Sequence, residues 1–178
     1  MKMKENALTR RESAAGIAVV LGCALGGMRA LGQQPAMEKE SSTAANAART
    51  SLHQEIAFNA TPQRVFDALL DSKQFAAVTG MAAEIDPKAG GVFKTFGGLI
   101  EGRNVEILAA QRIVQAWREP SWVPGFYSLV HFELTAAGTG TRLVLDHTGF
   151  AEGGYDHLFP GWHLRYWEPL KKYLAREG

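Results

Sequence analysis

The chain has 178 residues, 46% hydrophobic and 21% charged, which suits one globular domain with appendages and excludes a wholly disordered chain. The formal net charge of +1 hides an asymmetry: Lys2, Lys4, Arg10, Arg11 and Arg29 against Glu5 and Glu12 make the first 32 residues basic and leave a mildly acidic remainder. With no basic stripe interleaved with aromatics, nucleic acid is excluded as a partner, and the lone cysteine, Cys23, excludes an intrachain disulfide or a thiolate metal site.

Residues 1–32 read as an export signal. A basic start ends in Arg10-Arg11, an apolar run follows from Ala14 to Leu25, and Ala30-Leu31-Gly32 offers the small residues of a cleavage site. Thr9-Arg10-Arg11-Glu12-Ser13 is similar to a twin-arginine signal. The apolar run is shorter than the roughly 20 residues that a bilayer span requires. Two other readings stay open, a lipoprotein box at Val20-Leu21-Gly22-Cys23 that would lipidate Cys23, and an uncleaved anchor. Residues 33–48, without aromatics or periodicity, read as a flexible linker, and 49–178 as the folded domain.

Within the domain, Thr50 to Phe58 is a strand candidate with Ser51, His53, Glu55 and Ala57 on its polar side. Thr61-Pro62 starts a helix: the hydroxyl can cap it, and proline at the first helical position loses no hydrogen bond. Val65, Phe66, Leu69 and Leu70 give that helix one apolar face, and a second short helix runs from Ser72 to Val78. The period then changes to two. Strands are expected at 82–85, 92–96, 99–109, 112–118, 126–135 and 141–148, with turns at Asp86–Gly91, Gly97-Gly98 and Gly138-Thr139-Gly140. From Tyr155 to Arg176 the helical period returns, with Leu158, Trp162, Tyr166, Leu170 and Tyr173 on one stripe. Pro169 removes the bond to the Arg165 carbonyl, which predicts a kink.

This order predicts an α+β fold: a curved antiparallel sheet of about six or seven strands wrapped around a long C-terminal helix, with two short helices after the first strand. One helix and two short ones are too little to cover such a sheet, so a cavity between sheet and helix is expected, holding a small hydrophobic or amphipathic ligand.

The same stretches resemble the helix-grip START-like superfamily, also called SRPBCC, and within it the branch named after activators of a heat-shock-protein ATPase. The resemblance rests on Ile56–Leu69, on Gly90-Gly91-Val92-Phe93, on Gly102–Ile107 followed by Arg112–Trp117, on Thr141–Phe150, and on Gly161-Trp162 with Leu170–Leu174. It implies the helix-grip fold, and a function among those of lipid carriers, polyketide cyclases and hormone receptors.

Strand parity nominates the site. Leu143, Leu145 and His147 share one face, and Val130, Phe132 and Leu134 share another; both sets should face the helix, with His147 at the cavity rim. There His147 would orient a ligand or act as a general base; its other reading is a histidine bonded to a backbone carbonyl. Phe93, Trp117, Trp122, Phe150, Trp162 and Tyr166 either line the pocket or pack the core. Trp122, between Pro120 and Pro124, belongs to a loop that reads as a lid or as a stiff turn. Gln115 and Glu106, if inward, supply specificity, and Glu106 beside His147 would make an acid–base pair for a cyclase or dehydratase. The ligand set is thus Phe93, Gln115, Trp117, Trp122, Val130, Phe132, Leu145, His147, Phe150, Trp162 and Tyr166. A binder is favoured over an enzyme, and a protein-interaction module with a filled cavity is the third reading. No cofactor is called for. A metal held by His147, Asp156, His157 and His163 is rejected, because six residues on a helix place His157 and His163 about 240° apart.

Overall fold

A computed structural model describes residues 48–176. The export signal, Cys23 and the linker up to residue 47 lie outside the described residues. Strand β1 (Ser51–Phe58) alternates without a break, with Leu52, Gln54, Ile56 and Phe58 buried and their neighbours exposed. Helix α1 (Pro62–Leu70) starts where Thr61 Oγ1 accepts from the Arg64 amide. Asp71 closes α1 through its own N–H, and its carboxylate caps α2 (Ser72–Thr79) by accepting from the amides of Lys73 and Gln74. Gly80, at φ 72°, ends α2 in the left-handed conformation that glycine adopts without a steric cost.

Six further strands follow: β2 (Glu84–Ile85), β3 (Val92–Thr95), β4 (Ile100–Leu108), β5 (Arg112–Arg118), β6 (Ser128–Ala137) and β7 (Gly140–Thr148). They form one seven-stranded antiparallel sheet ordered β1-β7-β6-β5-β4-β3-β2. The inward parity of Leu143, Leu145 and His147, and of Val130, Phe132 and Leu134, is that read from the sequence, and all six are buried.

Two local irregularities change which residues face inward. A β-bulge interrupts the β4–β5 register, so that Asn104 opposes Gln115 while Glu106 opposes Val114. Val105 is the extra residue. One extra residue reverses the parity of everything after it, so Asn104 is buried and Glu106 is exposed instead of both facing one way.

The second lies in the C-terminal helix. It runs as α3 (Tyr155–Trp162), a π turn (His163–Trp167) and α4 (Glu168–Leu174). Pro169 has no N–H to give to Arg165, and the turn before it widens so that the Glu168 amide reaches the carbonyl of His163. The kink expected at Pro169 takes this form. The wide turn also advances the apolar stripe by one residue. Trp167, absent from the predicted stripe, is fully buried, whereas Tyr166 is only partly so. Trp167 stacks on Trp162 at 5.6 Å, and its Nε1 donates to Gln54 Oε1 at 2.6 Å. Gln54 Nε2 donates to the Phe159 carbonyl, so one β1 side chain fastens the helix at two points.

Candidate functional site

The space between sheet and helix is largely occupied by aromatic rings. Trp162 lies 6.1 Å from Trp117, 5.7 Å from Phe132 and 4.2 Å from Tyr166, centroid to centroid. Phe75 and Phe96 close on Tyr166 at 5.8 and 5.0 Å. Each such pair contributes about 0.5–1.5 kcal/mol beyond burial alone. The roomy chamber expected from the sequence is therefore corrected: Trp117 of β5 and Trp162 of the helix, with Phe132 and Tyr166 beside them, interleave and fill most of it. What remains between the rings is small. An outer recess of about 40 Å³ is lined by Phe96, Ile100, Trp117, Leu158, Trp162 and Tyr166, with Glu119, His157 and Arg165 at its polar edge. An inner void of about 10 Å³ is lined by Thr95, Gln115, Phe93, Phe132 and Tyr166, among others. Roughly 10–15 Å³ on this measure admits one water, whereas a benzene-binding cavity is about 150 Å³.

His147 is not at a rim. It is fully buried, with Trp117, Phe150 and Trp162 packed edge-on around its ring. Trp162 Nε1 donates to His147 Nδ1 at 3.2 Å, so Nδ1 is the acceptor and the ring proton sits on Nε2. Nε2 then donates to Ser128 Oγ at 2.7 Å, and Ser128 donates to the Trp117 carbonyl at 3.0 Å. Burial pushes the His147 pKa down to about 3. A neutral imidazole with its lone pair already taken by an indole is no general base. The direct bond to a backbone carbonyl is not made either: His147 meets a serine hydroxyl and an indole N–H, and it is Ser128 that donates to the Trp117 carbonyl.

Glu106 lies on the outer face, half exposed, with Arg112 Nη1 3.4 Å away. It is on the opposite side of the sheet from His147, so the acid–base pair is corrected by the bulge. Gln115 is inward, but its Nε2 donates to Asn104 Oδ1 at 2.9 Å, and Asn104 in turn donates to the Asp86 carbonyl. Val130, Leu145 and Phe150 pack the core and line neither void, a correction to their place in the ligand set.

Trp122 covers the ring of Trp117 at 5.5 Å. Its loop is held down by Arg118, whose Nη2 donates to the carbonyls of Trp122 and Pro120 at 2.7 and 3.4 Å while Nη1 meets Glu101 at 2.6 Å. Glu119, at the foot of that loop, lies 3.2 Å from His157 Nε2 on α3, across the mouth of the recess.

Sequence reasoning missed Phe96, Ile100, Glu119 and Arg165, and weighed His157 only as a rejected metal ligand. Phe96 carries an unusual strain, at φ 54°, in a region that bulky residues avoid. The Gly97-Gly98 pair after it announced a reversal, but nothing in the sequence said that Phe96 itself would take the left-handed conformation and point inward.

Two side chains beside the voids lack hydrogen-bond partners. Trp117 Nε1 and Thr95 Oγ1 are buried, their residues only 3% and 4% exposed, and neither makes a hydrogen bond of good geometry. The Tyr166 hydroxyl lies close to both without good bonding geometry to either, and burial pushes its pKa up, so it stays protonated. Among the described residues no cluster of His, Cys, Asp and Glu is placed to hold a metal ion, and no helix is long and apolar enough to cross a membrane.

A curved antiparallel sheet closed on a long C-terminal helix, with short helices after the first strand, defines a helix-grip domain. Residues 59–175 match the family described as Activator of Hsp90 ATPase homolog 1-like protein, and the chain belongs to that family. It is similar to a Plasmodium falciparum protein described as an HSP90 activator, with 26% identity, a TM-score of 0.68, and coverage of 71% of this chain and 97% of that one. A Dictyostelium discoideum activator of 90 kDa heat shock protein ATPase homolog is 25% identical over 115 residues, which are 64% of this chain and 30% of that protein. CalU16 from Micromonospora echinospora shares the fold at 21% identity and a TM-score of 0.61, over 71% of this chain and 77% of that one. The chain thus spans about a third of the length of the curated relatives it matches.

Proposed function

We propose that the domain is a non-catalytic receptor for a small apolar or amphipathic molecule, which enters through the recess in front of Trp117. The observation that carries this reading is the Trp117 indole N–H, buried beside a void and making no hydrogen bond of good geometry. Leaving such a donor unbonded costs about 1–3 kcal/mol, so an unexplained one calls for a missing partner. The apolar walls and charged edge of the recess suit an amphipathic molecule. A catalytic role finds no support, because His147 is fully bonded and Glu106 faces away. Native mass spectrometry of the chain purified from its own host tests this: a co-purifying small molecule, displaced by an apolar dye, is expected. An empty protein that also leaves the dye dark would end the proposal.

We also propose that residues 1–32 export the domain. Fractionation of the host cell, with and without Arg10-Arg11→Lys-Lys, checks it; a wholly cytoplasmic product would overturn it.

A second reading takes a protein as partner. It follows from what the relatives are described as, and Val123, 75% exposed at the tip of the Trp122 loop beside half-exposed Tyr127, favours it. Stimulation of a 90 kDa heat shock protein ATPase, lost in Val123→Asp, is its test.

A further inference from the structure

We propose that Tyr166 is the movable stopper of the ligand chamber, and that the molecule displacing it is small, uncharged and apolar, with one oxygen acceptor for the Trp117 indole. This deepens the ligand-binding reading and rests on it. Tyr166 is the one residue that lines both the outer recess and the inner void, so its side chain is the partition between them. If it swings aside, the two spaces and the volume of its own ring become one chamber. Phe96, Trp117 and Trp162 would then wall the outer part, with Phe93 and Phe132 deeper.

Tyr166 is held by ring contacts with Phe75, Phe96, Trp162 and Trp167, and its hydroxyl completes no hydrogen bond with Trp117 or Thr95. An aromatic ligand can replace ring contacts, so displacement gives up only the poorly aligned approach of the hydroxyl to Trp117 and Thr95, which a ligand oxygen can take over. Tyr166 also sits on the π turn, where the backbone already departs from helical hydrogen bonding. Such turns are places where a helix can change register locally.

The orphaned groups fix the ligand class. An indole N–H only donates, so its partner must accept; the Thr95 hydroxyl can do either. No cation stands among Trp117, Thr95 and Gln115, and a buried carboxylate there would lack compensation. An uncharged carbonyl, ether or hydroxyl oxygen on an aromatic or compact aliphatic body meets these demands. Arg165 lies at the outer edge and would hold an anion only at the mouth.

The test uses the full chain and three probes of like size: acetophenone, ethylbenzene and benzoate. The chain has four tryptophans, and Trp162 and Trp167 already donate to His147 and Gln54. In a nitrogen-15 spectrum of the wild-type chain, acetophenone is expected to shift the Trp117 indole signal saturably, and ethylbenzene to bind several-fold more weakly. Tyr166→Ala should bind acetophenone about tenfold tighter, since the cost of opening is removed. Equal binding of acetophenone and ethylbenzene, or unchanged affinity in a folded Tyr166→Ala, would overturn the stopper while leaving a ligand at the recess. Benzoate binding alone would place the site at Arg165 and overturn it likewise. If no probe binds while a host-derived ligand is still found by mass spectrometry, the stopper and its ligand class fall and the receptor reading stands. Should Tyr166→Ala not fold, the wild-type Trp117 signal decides by itself.

Discussion

The two ends of the aromatic core follow opposite rules. Both ring nitrogens of His147 have partners, in an unbroken chain from the Trp162 indole through the imidazole and Ser128 to the Trp117 carbonyl. Around Tyr166, the Trp117 indole and the Thr95 hydroxyl have none. Both ends are buried, and both were candidate sites from the sequence. The difference teaches that a buried polar residue signals function by what it lacks: the satisfied histidine is part of the framework, and the unsatisfied indole marks an opening for something else.

The contrast can be broken most forcefully at His147. His147→Ala should cost roughly 3 kcal/mol or more in urea unfolding, because it leaves a cavity and strands both the Trp162 N–H and Ser128. A cost under about 1 kcal/mol would show that the chain of bonds is not structural. Next comes acid. The His147 pKa is about 3 in the folded protein against 6.5 for the free side chain, so its neutral form contributes stability above pH 6.5 that is lost as the pH falls towards 3. The expected slope approaches 1.4 kcal/mol per pH unit in that window and should flatten in a folded His147→Gln. Trp162→Phe, which removes only the indole donor and some ring, should cost about 1–2 kcal/mol. Tyr166→Phe should change stability by less than about 0.5 kcal/mol, since its hydroxyl bonds nothing firmly. A loss as large as that of Trp162→Phe would erase the distinction between the two ends. The smallest effect is expected outside the core, at His53 on the outer face. Hydrogen bonding to Asp146 raises its pKa, so its contribution is present below pH 6.5 and fades as the pH rises through the raised value. His53→Ala should remove that shallow dependence, which has the opposite sign to that of His147.

How much of this was legible in the chain depends on which residues carry it. The inward face of β6 and β7 followed from alternation, because those strands pair without irregularity from Leu129 to Ala137. Thr61-Pro62 placed α1, because a hydroxyl cap followed by proline acts locally and needs no partner from elsewhere. Glu106 was misplaced because the bulge at Val105 reverses the parity of the rest of β4, and alternation alone does not mark an extra residue. Trp167 was missed because a stripe drawn at 3.6 residues per turn cannot foresee a turn widened before Pro169.

By itself the sequence determined the order and type of the elements, the faces of the regular strands, and the family to which the domain belongs, since these rest on periods and short-range rules. Tertiary structure alone decided how full the core would be and which polar groups would be left without partners. Both depend on distances between side chains far apart in the chain, such as Tyr166 against Thr95 and His147 against Ser128, which no period records.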